Sequence, residues 1–322
     1  MDQRSGHGVH IPATISAEAA AMLRTVAGLY ASRPRESAPT SQADFDAAAE
    51  RGFALAEFLT RDRIARLAPI VRTESRGGVD VLKVEPAGGA SDGAPLVYVH
   101  GGGFVQGSAR STLLTAAVAA ATSGRAVYSI DYTRAPRADW RAILDEVVSA
   151  WAAIAPNGRA GLIGDSAGGC IAAAATLLLR QRGAAMPAAI VLLSPVTDLA
   201  FAGDTNTTLA PFDFIDRETM RHAYRAYCPD EGEVENPLVS PVHGDFTAGY
   251  PPALIQVGTR ETLLSDAVRL HRALRAAGRE SRLEPYEGMP HVFQPWLADA
   301  PEGKAAWAEI AAFWTRHLEE CE

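Results

Sequence analysis

The sequence predicts an α/β fold in which a mostly parallel central sheet is flanked by helices and partly covered by a helical cap. Short runs of aliphatic and β-branched residues alternate with longer helical stretches, as in β-α-β units, where crossover helices join parallel strands. The composition, 48% hydrophobic and 21% charged over 322 residues, is typical of a folded globular chain. Two regions interrupt the alternation and are long enough to form the cap.

Seven segments are predicted to be strands because they are short and, in several cases, apolar without interruption, as strands buried on both faces are. They are Val79–Glu85, Leu96–Val99, Ala126–Asp131, Gly161–Gly164, Ala189–Leu193, Ala253–Val257 and Ser281–Tyr286. Helices are predicted at Ser111–Thr122, Trp140–Ala155, Ala167–Arg182, Leu263–Ala277 and Ala305–His317.

The two interruptions predict the position of the cap. Residues 1–70 are largely helical in pattern and contain no predicted strand, and residues 200–235 hold proline, aspartate and aromatic residues. Because ligands bind at the carboxyl ends of the strands in an open α/β sheet, an insertion after Leu193 would lie over the site. We expect residues 71–322 to form the core. The aromatic residues of the cap are candidates for pocket walls or for the cap's own core: Tyr30, Phe212, Phe214, Tyr224 and Tyr227.

Charge and hydropathy exclude several classes of partner. A net charge of −8 argues against nucleic-acid binding, which needs clustered cations. No apolar run reaches the roughly 18 residues of a membrane span, and the first residues lack the apolar segment of a secretory signal, so we expect a cytoplasmic protein. The cysteines Cys170, Cys228 and Cys321 are spaced too widely for a zinc site or a disulfide framework, and we expect free thiols.

The strongest chemical signal is the sequence Gly-Asp-Ser-Ala-Gly-Gly at residues 164–169, which follows a predicted strand and opens a predicted helix. A serine in such a strand-to-helix turn is held in a strained, exposed position, and glycines two residues to either side avoid collisions with neighbouring backbone. This context predicts that Ser166 is a nucleophile.

A second glycine-rich segment, His-Gly-Gly-Gly-Phe at residues 100–104, directly follows the strand that ends at Val99. Backbone N–H groups of glycines can approach a developing oxyanion without a Cβ in the way. We therefore predict that Gly102, Gly103 and Ala167 donate to an oxyanion. His100 is predicted to order this loop by hydrogen bonding and not to act as the base.

The base is predicted to be His291, because it follows the last strand and precedes the last helix. His222, His243 and His271 are weaker candidates. Three carboxylates near strand ends compete for the acid that holds the histidine: Asp198, Glu261 and Asp266. We choose Glu261, which lies in the loop after a strand; Asp266 fits a helix-start residue and Asp198 a structural one.

Taken together, these motifs resemble the hormone-sensitive-lipase-like branch of the α/β-hydrolase carboxylesterases over about residues 90–295. The resemblance extends to Ser-Pro-Val-Thr-Asp at 194–198 and to Pro251-Pro252. It implies a serine esterase that acts on small esters with short to medium acyl chains, without metal or cofactor. It also implies the triad Ser166, Glu261 and His291 and the oxyanion donors already named.

The substrate is expected to contact Phe104, Asp165, Phe212 and Phe214. One departure from the family pattern is Arg137, which stands where the family usually has glutamate. We expect it to affect bracing near the pocket and substrate choice, and it favours a specialised substrate. The motifs leave open a lactone or amide hydrolase, an acyltransferase, a non-hydrolytic enzyme on the same scaffold and a non-enzymatic binding protein. An exposed sheet edge or helix could also support a homodimer.

Overall fold

The computed structural model describes residues 10–32, 39 and 41–319. Its centre is an eight-stranded sheet in the order β1-β2-β4-β3-β5-β6-β7-β8. The strands are β1 Ile70–Arg76, β2 Val79–Glu85, β3 Leu96–Val99, β4 Val127–Ile130, β5 Gly161–Asp165, β6 Ala189–Leu193, β7 Ala253–Gly258 and β8 Ser281–Tyr286. Strands β3 to β8 run parallel, whereas β2 pairs antiparallel with both β1 and β4. The predicted mostly parallel sheet is confirmed.

Strand β1 was not predicted. Its sequence, Ile-Val-Arg-Thr-Glu-Ser-Arg, is largely polar, and no residue in it is fully buried. It is the edge of the sheet and pairs along its whole length with β2. An edge strand that buries little surface has no need of an apolar pattern, so hydrophobicity alone does not reveal it.

Ten helices accompany the sheet in the described part of the chain. They are α1 Ala17–Ser32, α2 Gln42–Leu67, α3 Leu113–Ser123, α4 Trp140–Ile154, α5 Ala167–Gln181, α6 Thr205–Thr208, α7 Arg217–Tyr227, α8 Leu264–Ala276, α9 Phe293–Trp296 and α10 Pro301–Glu319. Two short 3-10 turns lie at Glu231–Glu233 and Pro241–His243. Among these helices none is long and apolar enough to cross a bilayer.

The sheet has an apolar layer on each face because alternate residues of a strand point to opposite sides. In β3, Val97 and Val99 pack in the layer that contains α4, α5 and α8, whereas Leu96 and Tyr98 pack in the layer that contains α3 and α10. All four residues are buried. The continuous apolar runs of the sequence therefore correspond to strands covered on both faces.

The two regions predicted as cap contain helices in the described residues. Residues 10–70 supply α1 and α2, and residues 200–235 supply α6, α7 and the first 3-10 turn. Helix α1 is attached to α10, since the backbone N–H and the hydroxyl of Ser16 both donate to Glu302, at 2.7 Å each. The end of the insertion is attached to α4, where Trp140 Nε1 donates to Glu233 at 3.1 Å.

Candidate active site

Ser166 lies in the turn between β5 and α5 and is the N-cap residue of α5. Its backbone has φ 54° and ψ −121°, a region that residues with a side chain rarely adopt. The glycines of the motif permit this turn: a Cβ on Gly168 would lie 2.1 Å from the carbonyl oxygen of Val99, and one on Gly164 would lie 2.4 Å from the carbonyl oxygen of Gly168. Helix α5 therefore approaches β3 at backbone contact and presents Ser166 at the carboxyl end of the sheet.

Ser166, His291 and Glu261 are joined by hydrogen bonds. His291 Nε2 lies 2.9 Å from Ser166 Oγ, and His291 Nδ1 lies 2.7 Å from Glu261 Oε2. The three residues come from the β5–α5 turn, the loop after β8 and the loop after β7, so the parallel sheet brings them to one edge. A serine, a histidine and a carboxylate in this order can transfer a proton from the hydroxyl to the imidazole while the carboxylate holds its other nitrogen.

The second carboxylate oxygen of Glu261 is fixed by its surroundings. Oε1 accepts hydrogen bonds from Ser194 Oγ at 2.8 Å and from the Gly258 N–H at 2.5 Å. Ser194 Oγ in turn accepts from the Val292 N–H at 3.1 Å, directly beside His291. Glu261 is fully buried. The carboxylate is therefore held in one orientation by two elements that also position the histidine.

The electrostatics of His291 favour its charged form. Burial disfavours the imidazolium, but the hydrogen bond and the charge of Glu261, with smaller contributions from Asp213 and Asp165, outweigh burial and raise the pKa of His291 above its ordinary value. The imidazolium that would form when Ser166 gives up its proton is thus stabilised in place.

The other two candidate acids hold backbone and do not contact the histidine. Asp266 accepts from the Thr197 N–H at 2.7 Å and the Asp198 N–H at 3.0 Å, and burial raises its pKa to about 7. Asp198 pairs with Arg269 and accepts from the Ala200 N–H. Both carboxylates therefore brace the loop that follows β6.

Three N–H groups, two in the loop after β3 and one at the start of α5, have no hydrogen-bond partner among the described residues. The N–H groups of Gly102, Gly103 and Ala167 donate no hydrogen bond there, although most of the surrounding backbone is paired. Gly102 has φ 120° and Gly103 φ 60°, and a Cβ on Gly102 would lie 2.2 Å from the carbonyl oxygen of Gln106. An oxyanion hole requires N–H donors near the serine that are not already hydrogen-bonded, as these are.

Asp165 and His100 lie beneath this loop. Asp165 Oδ1 accepts from Tyr98 Oη at 2.5 Å and from the Gly101 N–H at 3.0 Å. Burial raises the pKa of Asp165, although these two hydrogen bonds oppose the shift. His100 is fully buried, stacks on Tyr132 at 4.2 Å, and has its pKa lowered by burial to about 4. Neither residue lines the pocket at Ser166.

A narrow, largely apolar pocket opens from Ser166 beneath the insertion. The space in it that can hold water-sized groups is small, about 10 Å³. The lining residues are Ser166, Val196, Phe201, Asn206, Ile215, Arg217, Met220, Tyr224, Thr262 and Leu263. Most of these residues were not singled out from the sequence. Tyr224 was a candidate pocket wall, and Arg217 and Met220 lie on the same face of α7 at helical spacing, which is the signal that could have identified them.

The phenylalanines that were predicted to contact the substrate lie in three different environments: the core, the surface and the neighbourhood of His291. Phe104 is fully buried and stacks on Tyr227 at 3.9 Å, so its side chain belongs to the core. Phe212 is 62% exposed and does not line the pocket. Phe214 lies edge-on to His291, with 5.9 Å between the ring centroids. The side chain of Tyr30 lies outside the described residues.

One residue near the histidine was missed entirely. Asp213 is buried in the insertion, and its Oδ2 accepts from the N–H and the hydroxyl of Thr262, at 2.6 and 2.8 Å. Thr262 follows Glu261 directly, so this contact attaches the insertion to the acid loop. Its position in an irregular segment gave no periodic signal in the sequence.

The described residues contain no cluster of three or more histidine, cysteine, aspartate or glutamate side chains placed to hold a metal ion. Cys170 and Cys228 are free and buried, and Cys321 lies outside the described residues. The groups that the structure brings together at Ser166 are a serine hydroxyl, an imidazole, a carboxylate and N–H groups.

Comparison with known proteins gives consistent similarities. A family model described as the α/β hydrolase fold matches residues 96–295. An acetyl-hydrolase of Streptomyces hygroscopicus is 37% identical over 235 residues, which is 71% of this chain and 77% of that protein. An esterase of Acinetobacter venetianus is 30% identical over 225 residues, 68% of this chain and 74% of that protein. A crystal structure of an esterase from the bacterial hormone-sensitive lipase family is 30% identical, with a TM-score of 0.83 over 94% of this chain and 99% of that one.

Proposed function

The chain belongs to the α/β-hydrolase family, in its hormone-sensitive-lipase branch, and from this premise we propose that it hydrolyses carboxylic esters through an acyl-enzyme on Ser166. The observation that carries the proposal is the hydrogen-bonded series from Ser166 through His291 to Glu261. The same series lies beside three N–H groups that have no other partner among the described residues.

In the first half of the proposed reaction, Ser166 Oγ attacks the ester carbonyl carbon and its proton passes to His291 Nε2. The carbonyl oxygen becomes an oxyanion, which the N–H groups of Gly102, Gly103 and Ala167 stabilise. Glu261 stabilises the imidazolium. The carbon–oxygen bond to the alcohol then breaks, His291 returns the proton to the departing oxygen, and the acyl group remains on Ser166.

In the second half, His291 takes a proton from water while the water oxygen attacks the acyl carbon. The second tetrahedral intermediate uses the same oxyanion donors. Its collapse breaks the bond to Ser166 Oγ, which recovers its proton from His291, and the carboxylic acid leaves. The reaction needs no group from outside the chain except water.

The pocket favours small acyl groups. As it stands in the structure, the pocket has space for about one water-sized group beside Ser166, and Val196, Ile215 and Leu263 are among its apolar walls. The acetyl-hydrolase name of the relative from Streptomyces hygroscopicus agrees with a small acyl group. We propose acetyl and other short esters as the preferred substrates, within the short to medium range.

Hydrolysis of p-nitrophenyl esters from acetate to octanoate tests this proposal. We expect turnover by the wild type that falls with acyl length, and loss to background in Ser166→Ala. Ser149→Ala removes an exposed serine of α4 and is the matched control, with unchanged rates. A folded wild type that cleaves none of these esters would overturn the proposal.

Two further expectations from the sequence stay proposals: a cytoplasmic location and a homodimer. Sedimentation of the purified protein tests the second, because a monomer at all concentrations contradicts it.

A further inference from the structure

A second, open cleft of about 470 Å³ adjoins the pocket at Ser166. Phe201, Arg217 and Tyr224 line both spaces, so the two spaces adjoin at these side chains. The cleft lies between α7 and the 3-10 turn at Glu231–Glu233. A substrate whose carbonyl lies at Ser166 therefore has space for a further group on the side of Arg217.

The cleft carries a surplus of positive charge. Arg217, Arg221 and Arg225 recur every four residues along one face of α7, and all three line the cleft together with two glutamates, Glu231 and Glu235. Three arginines and two glutamates give the lining of the cleft a net charge of +1. Arg225 is already paired with Glu231 at 3.0 Å, whereas Arg217 and Arg221 form no ion pair with any described residue.

Burial of the Nε atom of Arg217 costs free energy, which the contacts of the side chain with the protein offset only in part. Its Nε is buried and has no hydrogen-bond partner within the described chain, and Nη1 lies a long 3.4 Å from Thr207 Oγ1. The guanidinium lies over the Phe201 ring at 5.2 Å. Arg217 is also the first residue of α7, where the helix dipole disfavours a cation. The charge of Arg217 therefore lies beside a pocket whose other walls are mostly apolar, without a carboxylate partner among the described residues, and an anionic group of a substrate would supply one.

We propose that the natural ester carries a carboxylate or phosphate group, several bonds from the ester carbonyl, that binds Arg217 and Arg221. A guanidinium offers two parallel N–H groups to such an anion, and both arginines line the cleft. This inference rests on the proposed ester hydrolysis and adds the class of substrate. The apolar walls hold the part of the substrate between the ester and the anion.

The test compares anionic esters with neutral analogues of the same shape. On the alcohol side, 4-acetoxybenzoate and 4-acetoxyphenyl phosphate are compared with 4-acetoxybenzamide. On the acyl side, the p-nitrophenyl monoester of glutaric acid is compared with its primary amide. We expect kcat/KM of at least one anionic ester to exceed that of its neutral partner by about tenfold or more, mainly through KM. The arm that shows the preference identifies the anion and its side of the ester.

Variants connect the preference to the two arginines. Arg217→Gln and Arg221→Gln are each expected to bring the ratio of anionic to neutral kcat/KM closer to one, and Arg217→Lys to give an intermediate ratio. Arg275→Gln, which removes an exposed arginine of α8 that lines neither space, is the matched control and keeps the wild-type ratio. Raising the salt concentration should increase KM for the anionic ester alone.

The outcomes separate this inference from the esterase proposal. If the wild type cleaves neutral esters as well as the anionic ones in both arms, or if the ratio survives in Arg217→Gln, the anion site is overturned and ester hydrolysis stands. If the folded protein cleaves none of the esters, both proposals are overturned.

Discussion

Ser166 combines a strained backbone with fixed neighbours. Its N–H donates to the carbonyl oxygen of Leu193 at 2.9 Å, and its own carbonyl oxygen accepts from the Val196 N–H at 3.0 Å. These bonds join the turn to the end of β6 and hold the positive φ. The strain therefore serves to keep Oγ within hydrogen-bond distance of His291.

Also at the scale of the residue, Glu261 and Asp266 differ in what their carboxylates bind: Glu261 binds His291, and Asp266 binds backbone N–H groups. We expect Glu261→Gln to lower kcat by about 10³–10⁴-fold, because the amide cannot stabilise the imidazolium. Asp266→Asn should reduce kcat far less and act mainly on stability, since its carboxylate binds backbone N–H groups. Steady-state kinetics and thermal unfolding of both variants provide the measurement. Loss of activity in folded Asp266→Asn to the level of Glu261→Gln would reverse the assignment.

The pH profile follows from the raised pKa of His291. The imidazole must be neutral to accept the serine proton, so kcat/KM should fall as the pH decreases through a pKa above the ordinary value of about 6.5. Glu261→Gln removes the main source of that shift, so the acidic limb of its residual activity should move to lower pH.

Asp266 titrates in the same range, with a pKa of about 7, and needs its own control. The acidic limb should persist in Asp266→Asn if it belongs to His291. A limb that disappears in that variant would assign the titration to Asp266.

At the scale of elements, the contact between α5 and β3 sets the position of the nucleophile. Gly168→Ala would place a Cβ 2.1 Å from the Val99 carbonyl oxygen, which is backbone and cannot rotate away. We expect the free energy of unfolding to fall by about 1–3 kcal/mol and kcat to fall with it, because α5 must shift. Denaturant unfolding and ester kinetics measure both effects.

Gly28→Ala is the control for this change. It lies inside α1 with open space around its Cβ position, so stability should stay constant or rise by a few tenths of a kcal/mol. Equal stability of the Gly168 variant and the wild type would show that the close approach of α5 and β3 is not required.

The elements also show what the sequence could and could not predict. Buried strands such as Ala189–Leu193 have apolar runs because both faces are covered, and the structure has this strand with the predicted bounds. The same reasoning failed for β1, where exposure removes the apolar signal. The order of the strands was not predicted, because pairing depends on contacts between distant segments.

The candidate site, like the fold, could be predicted from the sequence only in part. Motif chemistry and loop position were sufficient to select Ser166, His291 and Glu261, which the structure brings together. Pocket walls follow instead from how the insertion packs on the core. Phe104 was therefore selected by its proximity in sequence to the glycine loop, whereas Arg217 and Met220 were overlooked.

At the scale of the whole molecule, Arg137, which departs from the family pattern, forms an ion pair with an N-terminal helix. Arg137 Nη2 pairs with Asp46 of α2 at 2.7 Å, so the residue joins the N-terminal helices to the core. At the other end of α2, Arg66 pairs with Asp299 at 3.2 Å. We expected Arg137 to affect bracing near the pocket and substrate choice, and its pairing with Asp46 indicates a role in attaching α2.

We therefore expect Arg137→Glu to repel Asp46 and loosen the start of α2. Limited proteolysis should cleave α2 faster than in the wild type, while the free energy of unfolding changes by less than about 1 kcal/mol, because the pair is partly exposed. The double variant Arg137→Glu with Asp46→Arg should restore resistance. Unchanged proteolysis in the single variant would remove this role from the pair.

The identity of the nucleophile is tested most directly by covalent labelling. The protein is treated with a fluorophosphonate, which phosphonylates an activated serine, and the modified residue is mapped by mass spectrometry of its peptides. We predict a label on Ser166 alone, formed in parallel with loss of ester hydrolysis and absent from Ser166→Ala. A label on another residue, or hydrolysis that continues after Ser166 is fully modified, would contradict the account.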